Sequence, residues 1–244
     1  MAKTERNLLG QEVGLPVVGW RPPPYPDDRA LSGRLCTVER IDAMRHAQAL
    51  YDAYGLDQEG RLWTYLPHGP FANFADYRTW LVDAQHRADP WFYAIVDHTT
   101  GQAVGSAAYL RMNPEAGSIE VGALVFSPLL QRRPAATEAM VLMMAHAFAL
   151  GYRRYEWKCD ALNQRSRASA LRLGFRYEGT FRKAAVVKGR NRDTAWFAIT
   201  DDEWPTLSRI LSRWLDPANF DAAGGQRVAL SSLTRAWRAS RDDF

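Results

Sequence analysis

The chain has 244 residues, of which 47% are hydrophobic and 24% charged, and its net charge is +4. This length favours one large domain, and the composition excludes a mainly disordered chain.

The longest apolar run, residues 135–150, is interrupted by Thr137, Glu138 and His146, which makes it too short and too polar to cross a bilayer. Since the N-terminal residues lack the apolar core of a signal peptide, the sequence predicts a cytoplasmic protein without a membrane partner. The two cysteines, Cys36 and Cys159, have no metal-ligand spacing, so no metal site is expected.

The first half of the chain predicts an irregular arm followed by regular structure. Residues 1–33 are rich in proline and show little periodicity, which is typical of an extended lead-in. Alternation then predicts a strand at 34–39, and helical spacing predicts helices at 43–54 and 74–88, the second capped by Asn73. Strands at 91–97 and 103–111 flank a short turn and predict a hairpin.

The second half alternates strands and helices and ends in a tail. The predicted elements are a strand at 118–126, a helix at 134–150, a strand at 152–159, a helix at 166–173, strands at 176–180 and 184–200, a helix at 202–214 and an Arg-bearing tail from Pro217. This order predicts an α/β domain with a mixed sheet.

Basic residues are concentrated in one segment. Residues 153–193 contain twelve Lys or Arg residues and four acidic residues, whereas the whole chain has 31 and 27. Such an excess indicates an anionic ligand or partner nearby, and a solvated basic face is the alternative explanation.

The segment from Ser118 to Ala139 predicts an anion site. A strand leads into a short loop that brings Gln131, Arg132 and Arg133 to the start of a helix, where free N–H groups and the helix dipole favour an anion. The small residues Ala135 and Ala136 allow a diphosphate to approach the backbone. An ordinary strand–loop–helix connection would have the same pattern.

This loop resembles the acetyl-CoA signature of the GNAT superfamily of N-acetyltransferases, Q/R-x-x-G-x-G/A, read here as residues 131–136. Pro134 replaces the central glycine, which suits the first turn of a helix but removes one N–H donor. A second segment, with Asn163, Ser166, Gly174-Phe175 and Glu178-Gly179, resembles the RimJ/RimL-type branch, which acetylates protein N-terminal amines.

The resemblance implies a mostly antiparallel central sheet of about seven strands flanked by helices. It places the N-acetyltransferase domain at 34–204, after the arm at 1–33 and before a C-terminal helix and tail at 205–244. It also implies that acetyl-CoA is the co-substrate and that the acetyl group passes directly to a primary amine. The implied cofactor-binding residues are Leu124, Val125, Phe126, Gln131, Arg132, Arg133, Pro134, Ala135, Ala136, Thr137, Asn163 and Ser166.

Three residues are the candidates for catalysis. Glu120 is expected to act as the base through a water, because strict alternation places Glu120, Gly122 and Leu124 on one face of their strand. Ser166 would donate a proton to the departing thiolate, and Asn163 would bridge the strand and the cofactor. A structural salt bridge for Glu120, a helix cap for Ser166 and a turn role for Asn163 remain open alternatives.

The remaining candidates concern the acceptor side and the core. Four aromatic residues would form either an aromatic acceptor wall or part of the core: Trp63, Tyr65, Phe71 and Tyr77. His68 is expected to be a surface loop histidine, with a place in the acceptor cleft as the alternative, and His146 and Cys159 are expected in the core. The expected acceptor is a peptide N-terminus or an amino-acid-like small amine. The alternatives are an antibiotic-like amine and a non-catalytic acyl-CoA-binding module. A homodimer is plausible from the sequence, and nucleic-acid binding is disfavoured because no aromatic stacking motif accompanies the basic residues.

Overall fold

The computed structural model describes residues 4–240. Residues 1–3 and 241–244, the ends of the expected arm and tail, lie outside this range. The strands are β1 (Thr4–Arg6), β2 (Glu12–Gly14), β3 (Leu31–Ser32), β4 (Cys36–Arg40), β5 (Trp91–Asp97), β6 (Ala103–Asn113), β7 (Ser118–Phe126), β8 (Arg154–Asp160), β9 (Arg176–Val187) and β10 (Arg190–Thr200). The helices are α1 (Ala43–Gly55), α2 (Phe74–Gln85), α3 (Pro134–Ala149), α4 (Gln164–Arg172), α5 (Trp204–Leu215) and α6 (Leu230–Ala239).

A mixed sheet of eight strands organises the chain, in the order β3-β4-β5-β6-β7-β8-β10-β9. Every neighbouring pair is antiparallel except β7 and β8, which are parallel. This confirms the expected mostly antiparallel sheet. The eighth strand is the two-residue β3 at the edge, which is too short to give an alternation signal.

Each face of the sheet has its own hydrophobic core. Helices α3 to α6 pack on one face around residues such as Met143, Tyr155 and Phe197. Helices α1 and α2 pack on the other face around residues such as Tyr77 and Leu81. No helix within residues 4–240 is long and apolar enough to span a membrane.

Local contacts fix the helix positions that matter for the site. Asn73 caps α2 as predicted, since its Oδ1 accepts the N–H of Asp76 at 2.9 Å. Glu138 in α3 is buried, and its carboxylate accepts the N–H groups of Arg34, Leu35 and Cys36 at the start of β4. These three bonds tie the start of α3 to the sheet.

The structure differs from the sequence predictions at both ends of the chain. The arm is not wholly irregular, because β1 and β2 form a hairpin whose turn is held by Asn7 Oδ1, the acceptor of two N–H groups. The tail contains α6, which buries Leu230, Thr234 and Trp237. All six strand residues of the hairpin are exposed, so they have no apolar alternation to read.

The strand predicted at 184–200 is divided between two strands, because residues 184–187 belong to β9, which continues without a break from Arg176, and residues 190–200 form β10. The chain turns at Lys188 and Gly189, whose φ values are 49° and 73°. Two successive positive φ values are typical of a two-residue hairpin turn, and a glycine at the second position is a common signal for it.

Candidate active site

A fork opens between the two parallel strands. β7 and β8 pair only between Ser118–Val121 and Arg154–Trp157, after which β7 continues beside β6 and β8 continues beside β10. Beyond Val121, the edge of β7 that faces β8 therefore has no strand partner. Leu124, Val125 and Phe126, predicted to bind the cofactor arm, lie on this part of β7.

A β-bulge at the fork reverses the side-chain alternation of β7. Ala123 has a φ of 49°, and the pairing of β6 with β7 shifts between Ser106 and Ala108. As a result Val121 and Leu124 both pack against the core of α3, whereas Val125 belongs to the core of α1 and α2. The expectation that Glu120 and Leu124 share a face is therefore wrong, because one extra residue lies between them.

The loop before α3 has the features of an anion site. Arg132 has a φ of 60°, Pro134 occupies the first helical turn, and Gln131 Nε2 donates to the carbonyl of Phe126 at 2.7 Å. Within residues 4–240 the N–H groups of Arg132 and Ala135 have no protein acceptor. Both donors lie at the start of α3, where the helix dipole also favours an anion.

Three of the other predicted loop residues differ in their accessibility. The side chains of Ala135 and Thr137 are buried, and the Thr137 hydroxyl accepts a hydrogen bond from Arg172 Nη1 at 3.0 Å. Ala136 is half-buried. Only the backbone of Ala135 and Thr137 can therefore contact a ligand.

The start of α4 supplies the opposite side of the fork. Asn163 Oδ1 accepts the N–H of Ser166 at 3.1 Å, so Asn163 caps the helix. The Ser166 hydroxyl accepts the indole N–H of Trp157 at 2.9 Å. Burial raises the pKa of the neighbouring Cys159 thiol, although its hydrogen bond to Ser166 acts in the opposite direction. Cys159 therefore lacks the thiolate character of a nucleophile.

Glu120 is the buried centre of an ionic network. Its side chain is 1% exposed and both its oxygens accept hydrogen bonds from the Arg111 guanidinium. The Lys158 ammonium lies 3.0 Å from Glu120, 2.8 Å from Glu156 and 3.7 Å from the centre of the Trp196 ring. The salt-bridge alternative for Glu120 is thus present in the structure.

Strand register explains why this network forms. Glu120 and Glu156 are direct partners in the parallel pairing, so their two carboxylates point to the same face. Lys158 lies two residues further along β8 and neutralises both, while Arg154 binds Glu156 at 2.6 Å and also pairs with Glu178. Although burial alone would raise the pKa of Glu156, hydrogen bonds from Arg154 and Lys158 outweigh it and lower the pKa.

The loop between α1 and α2 faces this network across the fork. Trp63 is buried against Tyr54 and Phe71 and belongs, with Phe71 and Tyr77, to the core under α1 and α2. Tyr65 instead lies at the fork, where its hydroxyl donates to the carbonyl of Leu162 at 3.4 Å.

The two histidines that the sequence singled out have different outcomes. His68 stacks on Trp80 at 4.4 Å rather than lying on the surface; burial, with help from Lys188 and Arg87, lowers its pKa to about 4. His146 is buried as expected, but neither of its ring nitrogens has a hydrogen-bond partner within the described part of the chain.

Sequence reasoning missed the cations that hold the site. Arg111, Lys158 and Lys188 come from three different strands or turns, and each reaches its partner only through tertiary structure. One feature of the sequence could have indicated this network: Glu156 and Lys158 are two residues apart on a predicted strand, so their side chains lie on the same face. Their partner Glu120 could not be recognised without the register of β7 and β8.

Comparison with known proteins identifies the family. Residues 39–176, more than half of the chain, match the family model described as an acetyltransferase (GNAT) domain. The chain therefore belongs to the GNAT acetyltransferase family, whose members use acetyl-CoA. Comparison with curated protein sequences gives no match.

Solved structures agree with this assignment. A GCN5-related N-acetyltransferase from Brucella melitensis is 43% identical, with a TM-score of 0.87 over 89% of this chain and 99% of that one. A probable GNAT-family acetyltransferase from Chromobacterium violaceum is 40% identical, with a TM-score of 0.74 over 79% and 96%. RimL, a ribosomal L7/L12 α-N-protein acetyltransferase, is 20% identical, with a TM-score of 0.61 over 70% and 94%, and shares the fold alone.

Proposed function

We propose that this GNAT protein transfers the acetyl group of acetyl-CoA directly to a primary amine, either a peptide N-terminus or an amino-acid-like small molecule. The observation that carries the proposal is the fork between β7 and β8, with free N–H donors at its α3 end and a buried carboxylate on its floor. Together these features supply a place for an anionic cofactor and a group that accepts a proton.

The fork and its two helix starts would hold the co-substrate. The N–H groups of Arg132 and Ala135, with the side chains of Arg132 and Arg133, would bind the diphosphate. Backbone groups of Leu124 to Phe126 would align the pantetheine arm, and one N–H would face the carbonyl oxygen as negative charge develops. When bound, acetyl-CoA supplies the activated thioester carbonyl.

Two side chains would move the protons. An ionised carboxylate has about four acceptor positions, and in Glu120 three are filled by Arg111 and Lys158. The fourth would bind a water that takes the proton of the amine and passes a proton to the Glu120 carboxylate. On the opposite side of the fork, the Ser166 hydroxyl would donate to the departing thiolate, and Trp157 fixes its orientation.

The ionic residues at the base of the fork, here called the floor (Glu120, Glu156 and Lys158), support an α-amine as the acceptor. An α-amine has an ordinary pKa near 8, so a fraction is neutral at pH 7, whereas a lysine amine, with a pKa near 10, needs much more help. Within the described residues every carboxylate of the floor is already neutralised by Arg or Lys. No free acid therefore remains there to recruit a polycationic acceptor such as an aminoglycoside.

Calorimetric titration with acetyl-CoA, followed by a thiol-release assay with a free-N-terminus peptide, tests the proposal. Replacing Arg132 and Arg133 together with Ala should weaken acetyl-CoA binding by about 1–3 kcal/mol, because charge-assisted phosphate contacts are lost. Arg213→Ala, an exposed arginine of α5, is the matched control and should leave the affinity unchanged. Equal affinity in the double variant would remove this loop as the cofactor site. Binding without thiol release by any amine would leave only the acyl-CoA-binding module.

A further inference from the structure

The C-terminal segment that contains α5 and α6 packs against both helices whose starts line the fork. The residues that match the family model end at 176, so α5 and α6 lie beyond them. Both helices nevertheless belong to the core shared with α3 and α4, through buried residues such as Leu207, Leu211, Leu230 and Trp237. This segment is therefore part of the folded domain.

Helix α4, which carries the proposed thiol donor Ser166, has few buried contacts of its own. It has nine residues, and of these only Ala170 is buried. A helix this short is marginal in water, because nucleation costs more than so few hydrogen bonds return. The cap at Asn163 and the bond from Trp157 to Ser166 hold its start, so its order also depends on what holds its far end.

Helix α6 supplies two donors to the far end of α4. The buried hydroxyl of Thr234 donates to the carbonyl of Arg172 at 3.1 Å, and shares its proton with the carbonyl of Leu230 at 3.2 Å. One turn further along α6, Arg238 Nη1 donates to the carbonyl of Leu171. A cation at this end also complements the negative pole of the α4 dipole. α6 therefore caps the C-terminus of α4.

Helix α5 holds the turn that follows α4. Gly174 has a φ of 99°, and a Cβ at this position would lie 2.5 Å from Leu207 Cδ1. Glycine is required here both by the positive φ and by the close approach of the leucine side chain. The end of α4 is thus seated directly on α5.

Arg172 connects these contacts to the predicted diphosphate loop. Its Nη1 donates to Thr137 Oγ1 at 3.0 Å, near the start of α3, and its guanidinium carbon lies 4.9 Å from the centre of the Trp214 ring on α5. Its carbonyl is the acceptor of Thr234 on α6. Because this one residue contacts α3, α5 and α6, a displacement of α6 would reach both helix starts that line the fork.

We propose that Thr234 and Arg238 are positioning residues for the cofactor site. By holding the end of α4 they place Ser166 and, through Arg172, the start of α3 for acetyl-CoA. The inference rests on the proposed acetyl transfer and adds to it a helix outside the residues that match the family model. Because coupling between two sites is reciprocal, acetyl-CoA bound in the fork stabilises α6 in return.

Arg238→Met and Thr234→Val each remove one of the two donors, and Arg235→Met is the matched control. Arg235 is exposed on the same helix, and its guanidinium has no hydrogen-bond acceptor within residues 4–240. Thr234→Val keeps the shape of a buried side chain, so it tests the bond rather than the packing. Arg238→Lys retains a cationic donor on a long side chain and should recover most of the loss.

The first measurement is hydrogen exchange of α4 and α6, which requires no acceptor. Without acetyl-CoA, exchange in α4 should be roughly 3–10-fold faster in Arg238→Met than in the unmodified protein, whereas Arg235→Met should match the unmodified protein. Saturating acetyl-CoA should slow exchange in α6 of the unmodified protein, and by less in Arg238→Met. Equal α4 exchange in all three proteins, or no effect of bound acetyl-CoA on α6, would overturn the proposal.

The second measurement determines, by thiol release, separate KM values for acetyl-CoA and for a free-N-terminus peptide. Arg238→Met and Thr234→Val should each raise the KM for acetyl-CoA and lower kcat by roughly 3–10-fold, with the KM for the peptide unchanged. A variant that only destabilised the fold would lose active protein, which lowers kcat and leaves both KM values unchanged; this result would refute the positioning role. Failure of the unmodified protein to bind acetyl-CoA in calorimetry would instead refute the proposed function, and α4 exchange would still decide whether α6 holds that helix.

Discussion

The face of the sheet that carries Glu120 is divided into two halves with different chemistry. Over β5 and β6, helices α1 and α2 cover the sheet, and the contacts there are almost wholly apolar and aromatic, as with Tyr77 and Leu81. Over β7 and β8, the same face presents Glu120 and Glu156, whose charges are balanced by their shared partner Lys158 together with Arg111 and Arg154. The comparison shows that this sheet presents ionic side chains where α1 and α2 do not cover it, and the proposed base, Glu120, is one of them.

The largest expected effect comes from breaking the ionic half. Lys158→Met would leave two buried carboxylates without their shared cation, which should lower the free energy of unfolding by about 3–5 kcal/mol at pH 7. Urea unfolding measures this loss. Lys183→Met, on the exposed hairpin, is the control and should change stability by less than about 0.5 kcal/mol.

The pH dependence of this variant follows from Glu156. Because the pKa of Glu156 is lowered in the folded protein, its contribution to stability is present at neutral pH and is lost as the pH falls through the folded pKa. Without the hydrogen bond and charge of Lys158, the pKa of Glu156 is lowered less, so Glu156 takes up its proton at a higher pH. The stability difference between the two proteins should therefore be largest at pH 7 and shrink towards pH 4. A difference that stays constant over this range would show that the loss comes from packing.

In the half of the sheet that α1 and α2 cover, removing a buried apolar side chain should lower the stability by an amount that does not depend on pH. Leu81→Ala removes a side chain that is fully buried under α2, and should lower the free energy of unfolding by about 2–5 kcal/mol through lost burial and a residual cavity. Since no titratable group is involved, this loss should be the same at pH 7 and at pH 4 in urea unfolding. A loss that varies with pH would mean that the two halves are coupled.

The smallest expected change in free energy distinguishes a catalytic role of Glu120 from a purely structural one. Glu120→Gln keeps the shape of the side chain and one acceptor oxygen, but its amide nitrogen cannot accept from Arg111 or Lys158, and the side chain can no longer take up a proton. We expect kcat at neutral pH to fall by roughly 100-fold, or about 2.7 kcal/mol, with little change in acetyl-CoA affinity. The test is the pH–rate profile together with calorimetry. If the profile keeps its height and shape, Glu120 acts only as the anchor of Arg111 and Lys158.

Local patterns in the sequence predicted most of the secondary structure. The cap at Asn73 and the proline at the start of α3 each act within one helical turn, so the sequence is enough to place them. The strand–loop–helix that leads to Arg132 and Arg133 was predicted for the same reason, and so was the succession of β4 to β8 along the chain. The hairpin at β1–β2 and helix α6 were not predicted, although α6 has an apolar face that helical spacing could have revealed.

The candidate site itself depends on relations between strands. The sequence identified Glu120 and Ser166, but the bulge at Ala123 that separates Glu120 from Leu124 exists only through the pairing of β6 with β7. The bond from Trp157 to Ser166 likewise requires α4 to pack against β8. Side-chain alternation is a property of one strand, and it fails wherever a neighbouring strand imposes an irregular register.

By itself, the sequence determined that this chain forms a mixed sheet in which a helix follows its central strand, and it predicted an anion site at the start of that helix. The signals for it, apolar alternation, helical spacing and a Pro-initiated helix after a basic loop, lie within a few residues of one another. Only the tertiary structure decided that Lys158 neutralises Glu120 and that Lys188 reaches Trp63, 125 residues away in the chain. Ion pairs and hydrogen bonds require two groups to lie within a few ångströms of each other, but these groups can be any distance apart in the sequence. Their partners can therefore be identified only from the assembled sheet.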